Sequence, residues 1–131
     1  MITSIAAICI VVSDQERALA YYRDILGFDA RMDNVMENGM RFLVVAPPGG
    51  ESGVVLYPAG DDVQAGGSFG SVFATENCQA THAELAGRGV DFSEEPTVQE
   101  WGGIQAQFHD PDGNHFVLIE LPEHMQSGQQ H

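Results

Sequence analysis

The stretch HDPDGNHFVLIE, residues 109–120, decides how the rest of the chain is interpreted. Asp110-Pro111-Asp112-Gly113 predicts a tight turn, because proline fixes φ while aspartate and glycine favour turn conformations. The apolar run after it predicts a strand over 114–121. This strand ends on Glu120. A carboxylate that points inward needs a counter-charge, hydrogen bonds or a proton, so Glu120 is a candidate for a metal ligand, a catalytic base or a ligand-binding group.

The same order of elements occurs twice along the chain. In the first half, an apolar strand precedes a helix over 14–26. Ser13 followed by Glu16 matches a capping box, and Gly27 matches a C-terminal cap. In the second half, GSVFAT predicts a strand, and a helix over 77–88 follows with Asn77 as its N-cap.

The offset between the two halves is almost constant. Asp14 and Asn77 lie 63 positions apart, and Pro47 and Pro111 lie 64 apart. Such regularity indicates two copies of one supersecondary unit. Each helix is followed by three predicted strands, near residues 28–36, 40–46 and 53–58 in the first copy and 91–100, 103–109 and 114–121 in the second.

We therefore predict an α+β fold of two βαβββ modules, each a curved mixed sheet with its helix outside, around a cup-shaped pocket. The predicted organisation is a single domain over 1–131. Its repeats span 4–58 and 70–121, its linker is the glycine-rich segment 59–69, and its tail over 122–131 is flexible.

This layout resembles the vicinal oxygen chelate superfamily, which includes glyoxalase I, bleomycin-resistance proteins and extradiol dioxygenases. The phrases VVSDQERALAYYRDILGF (11–28), EWGG (100–103) and FHDPDGNHFVLIE (108–120) carry the resemblance, which covers about residues 4 to 121. It implies a glyoxalase/bleomycin-resistance/dioxygenase fold and a homodimer. Because the superfamily spans many reactions and also pure binders, the resemblance does not fix the chemistry.

Charge excludes several function classes. The formal net charge is -14, and all five cationic residues are arginine. This balance disfavours nucleic acid, which needs cations against its phosphates, and anionic membrane surfaces. An acidic protein attracts cationic ligands. No apolar run is long enough to span a bilayer, and the start has no basic residue before its apolar stretch, so we predict a cytoplasmic protein.

Alternation along the strands predicts which side chains face the cup. In the first strand these are Ala7, Cys9 and Val11, and in the last they are Phe116, Leu118 and Glu120. Gln105, Gln107 and His109 face inward in the strand before the last. The offset of 64 then places Arg41, Leu43 and Val45 inward as well.

Metal-dependent members of the superfamily take one ligand from the first and last strand of each module, and the resemblance assigns these positions here to Ala7, Leu56, Gly70 and Glu120. Three of these side chains cannot ligate a metal, so no family-type metal and no cofactor is expected. A set from Cys9, His109 and Glu120 is an alternative without a spacing signature.

The favoured function is metal-free binding of a small, cationic or aromatic molecule in the cup. The candidate ligand-binding residues are Arg41, Trp101, Gln105, Gln107, Glu120 and Cys9. The alternative is a glyoxalase- or dioxygenase-type metal-dependent lyase or oxidoreductase with an atypical site. A metal-free enzyme with Glu120 as general base is a third hypothesis. Glu120 also has a purely structural alternative, which is a contact with Arg41 or a glutamine and no role in binding.

Overall fold

The computed structural model describes residues 1–126. The chain divides into two compact units. The first contains Met1–Ser68 and the short loop Pro111–Asn114. The second contains Phe69–Asp110 and the chain from His115 onward.

The first unit is a four-stranded mixed sheet with one helix. Its elements are β1 (Ala7–Val12), α1 (Gln15–Ala20), a π-helical turn (Tyr21–Ile25), β2 (Asp29–Val35), β3 (Arg41–Ala46) and β4 (Gly53–Pro58). The strand order is β1-β4-β3-β2, with β1 parallel to β4 and the other neighbours antiparallel.

The second unit repeats that arrangement. Its elements are β5 (Ser71–Ala74), α2 (Cys78–Gly87), β6 (Asp91–Val98), β7 (Ile104–His109), β8 (His115–Glu120) and the short α3 (Glu123–Gln126). The strand order β5-β8-β7-β6 matches that of the first sheet. The predicted α+β class and the two mixed sheets are thereby confirmed.

The helix ends follow from local residues. Asn77 caps α2 as predicted, since its side chain accepts a hydrogen bond from the Ala80 N–H. At α1 the N-cap is Asp14 rather than the predicted Ser13, because the Asp14 carboxylate accepts from the Arg17 N–H. The predicted flexible tail begins with α3, and residues 127–131 lie outside the described residues.

Each sheet buries one face against its own helix. In the first unit the strand residues buried on this face are Ile10, Val12, Leu43, Val45, Val54 and Leu56, and in the second they include Ala106, Phe108, Phe116 and Leu118. Helix residues such as Leu19 and Leu85 are buried with them. Each large apolar side chain buried in this way contributes about 1.5–3 kcal/mol to stability. The opposite side of each sheet is called its open face below.

The structure contradicts the predicted faces of two strands, β3 and β8. Leu43 and Val45, predicted to face the cup, are buried on the helix side, as are Phe116 and Leu118. In β8 both faces are apolar, so alternation alone did not distinguish them. In β3 the physical reason is the real offset between the modules. Residues paired as Val44–Val55 in the first sheet correspond to Gln107–Val117 in the second. The offsets are thus 63 and 62 positions, and one residue of slip exchanges the two faces of a strand.

The loop between β7 and β8 packs with the first unit through its polar side chains. Asp112 Oδ1 accepts a hydrogen bond from the Ser13 hydroxyl at 2.6 Å. Asn114 donates to the Val11 carbonyl at 3.0 Å and accepts from the Ser68 N–H at 3.1 Å. Asn114 is fully buried, so these bonds satisfy a polar group that would otherwise destabilise the fold.

Within residues 1–126, we find no helix with the length and apolar character needed to cross a membrane.

Candidate functional site

Glu120 lies on the helix side of the second sheet. Its Oε1 accepts a hydrogen bond from the backbone N–H of Cys78, the first residue of α2, at 2.8 Å. A carboxylate suits this place, because the first N–H groups of a helix lack intrahelical partners and carry partial positive charge. Burial and, next, the charge of Glu120 raise the pKa of the Cys78 thiol. The prediction that Glu120 points to the open face is therefore wrong, and the contact that it makes is structural.

Arg41 also lies on the helix side, in the first unit. Its guanidinium donates two hydrogen bonds of 2.7 Å to Asp33 and one of 2.8 Å to Glu16 of α1. These carboxylates raise the pKa of Arg41 further, and Arg41 in turn lowers the pKa of Asp33. The prediction that Arg41 faces inward is wrong, because its sheet-face neighbours Leu43 and Val45 form the helix-packed core.

Gln105 and Gln107 lie on the open face of the second sheet, as predicted. Both amide nitrogens donate to the same oxygen, Oε1 of Glu94, each at 3.0 Å. The two glutamines therefore converge on one carboxylate of the neighbouring strand. This group of three half-buried side chains is called the Glu94 cluster below.

No faces were predicted for the strand over 91–100, so Glu94 was missed, and a β-bulge that alternation does not reveal sets the direction of its side chain. Phe92 pairs with Phe108 on the helix side, and Glu94 pairs with Gln107 on the open side. In a regular strand, residues two apart would share a face, but the extra residue at Ser93 reverses the alternation. Pro96, which removes a donor from the ladder and is tolerated on an edge strand, was a signal that β6 is irregular.

His115 extends the Glu94 cluster toward the start of β5. Its Nε2 lies 2.6 Å from Gln107 Oε1, and its Nδ1 accepts from the Gly70 N–H at 3.0 Å. Burial, and then the neighbouring His109, lower the pKa of His115. Strand alternation alone places His115 on the helix side or in solvent, so this member of the site was missed too.

Aromatic rings lie at both ends of the polar row. The Phe69 ring stacks on the His115 ring with centroids 4.4 Å apart and is 83% exposed. The Trp101 ring occupies the space that a side chain at Gly103 would need, and Trp101 is 43% exposed. Since Gly103 precedes Gln105 by two positions, we infer that Trp101 lies near the Gln105 end of the row.

Toward β5, the open face of this sheet is apolar. Val72 of β5 pairs with Val117 of β8, and Gln105 of β7 pairs with Ile119 of β8. The face therefore has a polar half on β6 and β7, continued by His115 at the start of β8, and an apolar half on β5 and the rest of β8. Such a surface matches a guest with one polar edge and one apolar edge.

Cys9 lies in the first unit, on β1, and its thiol is exposed. It pairs with Val55, so it shares the open face of the first sheet, as predicted. Partial burial raises the pKa of this thiol, which favours the protonated form over a reactive thiolate.

The residues present do not fit a family-type metal centre. The first-strand positions assigned by resemblance are Ala7 and Gly70, and the open side of β8 carries Val117 and Ile119 between its ends. The described residues contain no group of three His, Cys, Asp or Glu side chains placed to hold a metal ion. The alternative set from Cys9, His109 and Glu120 is therefore not assembled, since Glu120 points to α2.

Comparison with known proteins adds independent evidence on the family. The family model described as Glyoxalase/Bleomycin resistance protein/Dioxygenase superfamily matches residues 4–118. The chain is 36% identical over 123 residues to the uncharacterized protein YetH of Bacillus subtilis (strain 168), covering 92% of this chain and 100% of YetH.

Two solved structures are similar in both sequence and fold. A superfamily member from Sphaerobacter thermophilus DSM 20745 is 37% identical with a TM-score of 0.85, over 91% of this chain and 98% of that one. TnmS3, an antibiotic binding protein from Streptomyces sp. CB03234, is 35% identical with a TM-score of 0.83, over 92% of this chain and 97% of its own. The match over most of the chain, together with the two mixed sheets, shows that the protein belongs to the glyoxalase/bleomycin resistance protein/dioxygenase superfamily.

Proposed function

We propose that this protein is a metal-free binder of small molecules and that the guest lies on the open face of the second sheet. The observation that carries the proposal is the convergence of the Gln105 and Gln107 amides on one oxygen of Glu94. Three polar side chains fixed by mutual hydrogen bonds beside an apolar strip are typical of a ligand site, where a few placed polar groups orient an apolar body.

One similar protein of the same family supports binding as the function. TnmS3, which resembles this chain over nearly its whole length, is an antibiotic binding protein. We extend to this chain the general capacity for binding a small organic molecule. The contribution of Trp101 is an exposed ring on which an aromatic guest can stack, a contact worth about 0.5–1.5 kcal/mol beyond burial.

Titration calorimetry with a panel of polycyclic aromatic antibiotics and dyes tests this proposal, using the variants Gln105→Leu and Gln107→Leu. Each variant leaves part of the Glu94 cluster without its partner, so we expect the affinity of any bound compound to fall about tenfold. Gln79→Leu makes the same substitution on the exposed surface of α2 and serves as the control. If no compound binds, or if all three variants bind equally, this face is not the site.

Three further predictions accompany the proposal. We propose that the two repeats form one domain, that the protein is cytoplasmic and that it forms a homodimer. The open edges of β2 and β6 support the dimer, because unpaired edge strands are stabilised by a partner. Light scattering after size-exclusion chromatography measures the mass in solution, and a monomeric mass at micromolar concentration would contradict the dimer.

A further inference from the structure

The hydrogen bonds around His115 have one possible direction. The Gly70 backbone N–H is shared between the His115 carbonyl oxygen at 3.1 Å and His115 Nδ1 at 3.0 Å, and because an N–H only donates, Nδ1 is an acceptor. In the neutral imidazole the proton then lies on Nε2, which donates to Gln107 Oε1. The amide orientation of Gln107 follows, because its nitrogen is the atom that remains to face Glu94.

The direction of these bonds determines what the Glu94 cluster offers to a guest. Glu94 Oε1 receives the two glutamine donors, and Glu94 Oε2 has no hydrogen bond to another described residue. The side-chain carbonyl oxygen of Gln105 likewise has no partner within residues 1–126. Both groups are acceptors. The cluster therefore offers unfilled acceptors to a guest that carries hydrogen-bond donors.

The charge of Glu94 is not neutralised by an arginine. All five arginines are in the described part of the chain, and each is engaged with other groups. Their partners are Ser13 and Asp112 for Arg17, Asp24 for Arg23, the Pro47 and Gly50 carbonyls for Arg31, Asp33 and Glu16 for Arg41, and Glu84 for Arg88. A half-buried carboxylate whose donors are neutral amides gains most from a cationic partner.

We propose that Glu94 is the recognition anchor of this face and binds the ammonium or other donor-bearing end of an aromatic guest. This inference rests on the proposed function and names its ligand class. The guest's ring lies over the apolar half of the face, within reach of Trp101 or Phe69. An anionic guest is rejected, because it would place a negative charge beside Glu94 with no arginine to compensate.

The probes that test this proposal are three compounds with one ring system and different heads: 2-naphthylmethylamine, 2-naphthylmethanol and 2-naphthoate. Backbone ¹H–¹⁵N shift mapping follows each titration at neutral pH. We expect the amine to bind at least about tenfold more tightly than the carboxylate, since a charge-assisted hydrogen bond is gained in one and a repulsion in the other. The shifts should include Glu94, Gln105 and Gln107.

Glu94→Gln and Glu95→Gln form the matched pair of variants. Both remove one negative charge from adjacent positions of β6, and Glu95 is exposed and outside the cluster. Amine affinity should fall about tenfold or more in Glu94→Gln and stay near wild type in Glu95→Gln. Equal losses in both variants would mean that only the overall charge attracts the amine, and the proposal would be overturned.

A second arm measures the direction of the hydrogen bonds directly. Long-range ¹H–¹⁵N spectra of the His115 ring report its tautomer, and we expect the proton on Nε2. A proton on Nδ1 overturns the assigned polarity. If the amine still shifts the signals of Gln105 and Gln107 but binds Glu94→Gln as tightly as wild type, Glu94 is not the anchor while the binding function stands. If none of the three probes perturbs this face, both the anchor and the proposed site fail.

Discussion

The two modules share a backbone plan but differ at most matched positions of the open face, with Val55 and Val117 as an identical pair. Met32, Phe42 and Val44 of the first sheet occupy the places that Glu94, Gln105 and Gln107 occupy in the second. A bulge precedes the first member of each set, between Ala30 and Met32 and between Phe92 and Glu94. The duplicated backbone therefore supplies one geometry, and the substituted side chains decide which copy can recognise a polar group.

The matched pair Gly53 and His115 extends this difference. Gly53 pairs with Ala7 at the start of β4, and a Cβ added to it would lie 2.6 Å from a methyl of Val44. In the second module His115 takes this place, because Gln107 accepts a hydrogen bond where Val44 would clash. Glutamine at the place of Val44 thus goes together with histidine at the place of Gly53.

The largest expected loss of stability comes from truncating one large core residue in each unit. Phe108 is 1% exposed and lies against Phe73, Phe92 and Phe116, so Phe108→Ala should cost about 3–5 kcal/mol. Leu43→Ala in the first sheet should cost about 2–5 kcal/mol. Urea unfolding measures both. A loss below about 1 kcal/mol in either variant would contradict the assigned helix-packed face.

Glu120→Ala distinguishes a helix contact from a ligand contact. Because the carboxylate accepts from the first N–H of α2, the variant should lose about 1 kcal/mol of stability. Asn77→Ala, which removes the N-cap side chain of the same helix, should lose a similar amount and serves as the control. Unchanged stability with abolished binding of 2-naphthylmethylamine would restore Glu120 to the ligand site.

The pH dependence of stability should carry a contribution from His115. Its pKa is lower in the folded protein, so below pH ~6.5 the unfolded chain takes up a proton that the folded protein does not. Stability should therefore fall as the pH drops from about 6.5 toward the folded pKa, and this contribution is fully present above that range. Urea midpoints between pH 5 and 8, in about the range where histidine titrates, measure the slope.

His115→Phe should flatten this slope, whereas His82→Gln, on α2, should keep it. A slope that is the same in wild type and His115→Phe would show that His115 is accessible to protons and not held by Gly70 and Gln107.

The sequence was sufficient for the element order, the strand positions within a few residues and the open-face placement of Gln105 and Gln107. The faces of β3, β4 and β8 were not predictable in the same way. Pro47-Pro48 and Gly49-Gly50 are doublets, so the repeat can be aligned at an offset of 63 or 64, and the hairpin loop is one residue shorter in the second module. This single position moved Arg41 to the wrong side of its sheet. Glu120 is a separate error, because both faces of β8 are apolar and alternation fits either one, whereas Phe116 and Leu118 are the residues buried against α2.

Glu94 and His115 were missed for a different reason. Alternation assumes a regular strand, and the bulge in β6 breaks it at the residue before Glu94. His115 is the first residue of β8, and the two faces of this strand were exchanged in the prediction. A bulge depends on pairing with the neighbouring strand, so composition and periodicity along a single strand do not reveal it.

A crystal structure of the protein with 2-naphthylmethylamine would locate the guest on one module or the other. We expect the amine nitrogen at hydrogen-bonding distance from the Glu94 carboxylate, with the naphthalene ring over the apolar half of the second sheet's open face. An amine bound instead at Glu120 beside α2, or on the open face of the first sheet around Met32 and Phe42, would contradict the assignment of recognition to the Glu94 cluster.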